Sequence, residues 1–162
     1  ADDPEQRQSS CSIIMLDLMD ATTHLVPWDV PFAPSEHPSV SLITEQFGSS
    51  ATVVIAPHGI DQYPKYLVRF DKVLAALYYE EALALRGKYP AVADGQTSGC
   101  AYLWPDSPWL GASRGWAVDF LRWPDLSHFV FFGGDDVVEL LACGATVERI
   151  DEKRVIETKH EV

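Results

Sequence analysis

His128-Phe129-Val130-Phe131-Phe132-Gly133-Gly134-Asp135-Asp136-Val137-Val138-Glu139-Leu140-Leu141-Ala142 is the stretch from which the fold is read. Two apolar runs, rich in β-branched and aromatic residues, flank a Gly-Asp turn, which is the pattern of an antiparallel hairpin. Glycine there supplies the positive φ that a tight connection needs. With Gly134-Asp135 at the centre, Phe132 stands opposite Val137 and Val130 opposite Glu139. Both runs are apolar on both faces, as in a strand covered on each side. Glu139 is the exception. It lies diagonally from His128 on one sheet face, a distance long side chains span. One reading is a His–carboxylate pair in a cleft. The plainer reading, a solvated sheet face, is preferred.

Further strands are expected at Thr52 to Ala56, which is β-branched and ends at Pro57, at Tyr66 to Phe70, at Val147 to Ile150 after Gly144, and in the short run Ile13 to Leu16. Residues 71–86 carry two readings. Asp71 as a cap, Gly87 as a stop and the Ala, Leu and Glu between them favour a helix. The other reading pairs Val73 to Tyr79 back on Tyr66 to Phe70 as a hairpin. Ser113 to Trp123 reads as a short helix with Trp116, Phe120 and Trp123 on one face, stopped by Pro124. Residues 1–10 read as a loose tail and residues 20–40 as a Pro-rich loop, and Leu42 to Phe47 carries no decisive pattern. Pro90 to Pro108, rich in Gly, Ser and Pro, also reads as loop. The expected fold is α+β: one domain over 1–162, a single antiparallel sheet with one to three short helices packed on a face.

The 162 residues include 12 Lys and Arg against 24 Asp and Glu, a net charge of −12. Such a surface repels nucleic acid and anionic membranes; it suits solubility or a basic partner. At 47% hydrophobic and 22% charged the chain is globular in composition, and its longest apolar run is far too short for a membrane span. Three separated cysteines, Cys11, Cys100 and Cys143, are odd in number and form no CxxC, which points to a reduced, cytoplasmic setting. Ala1-Asp2-Asp3-Pro4 has no leader pattern. His24, His37, His58, His128 and His160 are dispersed, so no metal and no cofactor is expected.

Two short motifs invite enzymatic readings. Gly133-Gly134-Asp135-Asp136 is similar to the GGDEF hairpin of diguanylate cyclases, but Val137 stands where that family has Phe, Asp136 where it has Glu, and the chain after it is too short. Gly111-Ala112-Ser113-Arg114-Gly115 fits the G-x-S-x-G elbow of α/β hydrolases, with His58-Gly59 as an oxyanion loop, Asp125 or Asp135 as acid and His128 or His160 as base. Pro105 and Pro108 stand where the strand before that serine would run.

Ser107-Pro108-Trp109-Leu110, a short helix, then His128 to Phe132, the acidic turn and Val137 to Ala142 together resemble small bacterial α+β proteins, some of which are immunity proteins that neutralise polymorphic toxins. The resemblance spans residues 65–143. It implies that Tyr66 to Tyr79 is a hairpin rather than a helix, and it carries no catalytic residue. The expected function is therefore binding and inhibition of another protein, such as a basic toxin or nuclease, with Asp135, Asp136, Glu139 and Trp109 at the contact. The alternatives are a serine hydrolase using Ser113, or a small-ligand-binding module with an aromatic pocket.

Overall fold

The computed structural model describes residues 24–30, 38–44, 49–57, 59, 61–80, 89–92, 99–115 and 123–152. They form nine strands and one helix: β1 (Val26–Pro27), β2 (Ser39–Thr44), β3 (Ala51–Ala56), β4 (Lys65–Phe70), β5 (Lys72–Glu80), β6 (Ala101–Leu103), α1 (Pro108–Gly115), β7 (Leu126–Phe132), β8 (Asp136–Cys143) and β9 (Thr146–Ile150). The expected tail over residues 1–10, the strand at Ile13 to Leu16 and most of the helix after Gly115 lie outside the described residues.

The expected hairpin is β7–β8, and its register is the one read from the sequence: Phe132 opposite Val137 and Val130 opposite Glu139. The turn differs in its physics. Positive φ occurs at Gly59 and Gly144, whereas Gly133 lies outside that region. Gly133 is needed for space: a Cβ there would stand 3.1 Å from the Asp136 carbonyl and 3.2 Å from that of Pro38. The Gly134 amide donates to the same Pro38 carbonyl at 2.9 Å, tying the hairpin tip to the start of β2.

The single sheet expected from the sequence is in fact two antiparallel sheets, ordered β1-β6-β7-β8-β5 and β2-β3-β4-β9. Their inner faces pack together: Val53, Ile55, Val68 and Phe70 from one meet Phe129, Phe131, Val138 and Leu140 from the other. Phe70 sits edge-on to Phe129 at 4.9 Å. Residues 71–86 were the open question, and both readings need correcting. Lys72–Glu80 is strand rather than helix, but it does not pair back on β4. β4 pairs with β3 and β9, while β5 pairs with β8. The chain turns a corner at Asp71 and passes from one sheet into the other. β8 and β9 do the same at Gly144, whose φ of 63° makes their corner. One register runs through both corners, Arg69 opposite Thr146 before and Lys72 opposite Cys143 after, so a single two-stranded ribbon is bent across both sheets. Tertiary pairing overrides helix propensity here: β8 offers β5 a ladder along its length, interrupted once between Val73 and Ala75.

Two loop expectations also change. β6 lies inside the expected Pro90–Pro108 loop, and Val26–Pro27 within the Pro-rich loop forms the edge strand β1, a position proline tolerates. The helix begins earlier than expected. Ser107 caps it, its Oγ accepting from the Leu110 amide at 2.9 Å, and Pro108 takes the first helical position where no amide is needed.

Candidate functional site

The outer face of the five-stranded sheet alternates away from the sandwich core. β7 presents Leu126, His128 and Val130 there, and β8 presents Val137, Glu139 and Leu141. His128 and Glu139 meet as the register demands, with Nε2 3.0 Å from Oε2. The solvated face preferred from sequence is overturned: His128 is 1% exposed and Glu139 2%. The cover comes from parts of the chain far apart in sequence. Trp104, after β6, stacks on the His128 ring at 5.4 Å, and Trp109 of α1 meets that ring edge-on at 5.2 Å. Tyr89 packs against Trp104 and Phe132.

A carboxylate placed this deep must be satisfied by donors, or its burial costs several kcal/mol (~3–5 when a buried partner is lost). Tyr79 from β5 and Tyr89 supply them. Both hydroxyls donate to Glu139 Oε1, Tyr89 at 2.6 Å, and the two hydroxyls also contact each other. Burial first, then these contacts, hold the Tyr89 hydroxyl well above its ordinary pKa. His128 is less well served. Glu139 Oε2 is within contact distance of Nε2 but off the direction of a ring N–H bond, and Nδ1 has no hydrogen-bond partner. The contact is not a directed hydrogen bond.

The residues expected to contact a partner fall into two groups. Glu139 is inside this cluster, and Trp109 is half-buried as part of its lid. Asp135 and Asp136 are at the hairpin tip, Asp135 exposed and Asp136 partly so. Comparison with protein families, curated proteins and solved structures returned no match.

The tip has neighbours that sequence reasoning missed. Glu80, the last residue of β5, stands directly opposite Asp136. Tyr78 lies on the same sheet face, and the Asp136 carboxylate, by accepting from its hydroxyl, raises the Tyr78 pKa above its ordinary value. Tyr78 is 52% exposed and the adjoining Leu77, on the other face, 45%. The signal for this surface was Lys72–Glu80 itself, once read as a strand: it alternates without a polar face, which is unusual for a strand left at a sheet margin. Ser113 is the sixth residue of the eight-residue α1, inside the helix rather than on a strand-to-helix elbow.

Proposed function

We propose that this chain is an acidic protein-binding protein of the immunity type, which neutralises a basic partner protein such as a toxin by covering it. The observation that carries the reading is the end of β5 and the hairpin tip, where Glu80 and Asp136 share a face with the exposed Tyr78, Asp135 is exposed beside them, and the exposed Leu77 lies on the opposite face. Apolar and aromatic groups supply the desolvated centre of an interface, and carboxylates around them steer a cationic partner in. The net charge of −12 extends that attraction over the whole molecule. Inhibition by covering is the outcome we propose, since steric blocking needs no catalytic residue.

The test is capture of the partner from the native organism, followed by association kinetics in a salt series. Steering is screened over a Debye length of about 10 Å in 0.1 M salt, so the on-rate falls as salt rises. Charge reversal at Asp135 and Asp136 slows association more than it speeds dissociation. A captured partner with a salt-independent on-rate would remove the electrostatic basis of the reading.

A further inference from the structure

We infer that β5, a margin strand among the described residues, pairs over Ala75 to Glu80 with an extended basic segment of the partner, adding it as a further strand. The inference rests on the protein-binding reading and names where and how that binding occurs.

β5 is the last strand of the five-stranded sheet among the described residues. A margin strand carries a row of backbone donors and acceptors that an extended chain can satisfy. Its exposed apolar side chains lie on both faces, Leu77 on the side of Glu139 and Tyr78 on the side of Val138. A partner docked flat on one face would cover one of them. A strand laid alongside covers both, because its own side chains alternate between the two faces. Natural proteins blunt such edges with charge, proline or bulges. Here the start of the strand is blunted by the irregularity between Val73 and Ala75 and by the Val73 amide donating to the Ser49 carbonyl, leaving Ala75 to Glu80 regular.

The faces also differ in charge, and this sets the chemistry of the occupant. Tyr78, Glu80 and Asp136 share one face, so that face calls for cations, which meet two carboxylates and the Tyr78 ring. Leu77 on the other face calls for apolar side chains. The fitting segment alternates Lys or Arg with Val, Ile or Leu. A second copy of this chain is disfavoured. Two chains of charge −12 repel, and the irregularity interrupts the ladder before Lys72 of one copy could stand in register with Glu80 of the other.

The probe is a ten-residue peptide of alternating Lys and Val, measured by calorimetry and by amide hydrogen exchange of the full chain. Its controls are an alternating Glu–Val peptide and a Lys–Val peptide N-methylated on one backbone edge. We expect the Lys–Val peptide alone to bind, and exchange at residues 75–80 to slow by about tenfold or more. Replacing Glu80→Lys together with Asp136→Lys reverses the preference between the Lys and Glu peptides. Binding that tolerates N-methylation and leaves residues 75–80 unprotected overturns strand addition while the basic-partner reading stands. Equal binding of Lys–Val and Glu–Val peptides, with strand protection, overturns the cationic preference and the basic-partner reading with it. Failure of both peptides, or concentration-dependent self-association that protects the same residues, overturns the proposed occupant.

Discussion

Tyr78 and Tyr79 are adjacent in β5, point to opposite faces, and each hydroxyl meets a carboxylate of β8. Tyr79, half-buried, meets the buried Glu139, which contacts the His128 ring that two tryptophans cover. Tyr78 meets Asp136 at the margin of the sheet. The chemical pair is the same; the surroundings are not. Inside, the bond offsets the desolvation of a buried group, and losing either partner leaves the other stranded. Outside, water replaces whatever is lost, and the bond contributes little. The inner pair is thus tied to the stability of the fold, whereas the outer pair is free to be used for recognition. Neighbouring residues of one strand are divided between those two tasks by the period of two alone.

The largest expected effect is on the inner side. Glu139→Ala removes the carboxylate that accepts from two tyrosine hydroxyls and contacts His128, and should cost about 3–5 kcal/mol in urea unfolding. The double replacement His128→Leu with Glu139→Leu should cost less than Glu139→Ala alone. It removes the buried polar pair together and leaves no buried imidazole behind, whereas the contact between the two tyrosine hydroxyls is open to both variants. If Glu139→Ala instead costs below about 1 kcal/mol, the cluster behaves as a solvated one and the contrast with Asp136 collapses.

The inner site was half legible in the sequence. The period of two fixed the β7–β8 register, and with it the approach of His128 to Glu139. A single carboxylate in a run as apolar as Val137 to Ala142 was itself a sign of a partnered, buried group, since burial without partners is so costly. What was hidden is the lid, because Trp104, Tyr89 and Trp109 reach the site from separate segments. The second sheet was hidden for a related reason. Strands at 52–56 and 66–70 were readable, but the corner at Asp71 carries neither glycine nor proline, so nothing local marked that β5 leaves β4 for β8. β6 was concealed by its Gly-, Ser- and Pro-rich surroundings and by its own length of three residues.

A smaller effect separates inner groups from outer ones by alkaline titration. Burial raises the Cys100 thiol from 9.0 to about 11 and holds Tyr89 above 10.0. Both are raised in the folded state, so the folded chain holds these protons more tightly than the unfolded one. The stability they contribute is complete below the unfolded pKa and is lost as pH rises, from about 9.0 for Cys100 and about 10.0 for Tyr89. Urea midpoints measured across this range should therefore begin to fall near pH 9.0, and in Cys100→Ala the onset should move towards 10.0. An unchanged onset in that variant would show that the thiol is not the first group to titrate.

The smallest expected effect on stability is at the tip, and it completes the contrast. Asp136→Ala removes the acceptor of the Tyr78 hydroxyl, a loss that water makes good at a half-exposed site. It also removes a carboxylate that stands directly opposite Glu80, and like charges across a strand pair are destabilising. The two changes oppose each other, so the unfolding free energy should move by no more than about 0.5 kcal/mol in either direction. The same variant should slow association with a basic partner, since it removes one of the charges that steer it. A loss of stability comparable to that of Glu139→Ala would mean that Asp136 serves the fold as Glu139 does. The division between a structural carboxylate and a recognition carboxylate, two tyrosines apart on one ribbon, would then be lost.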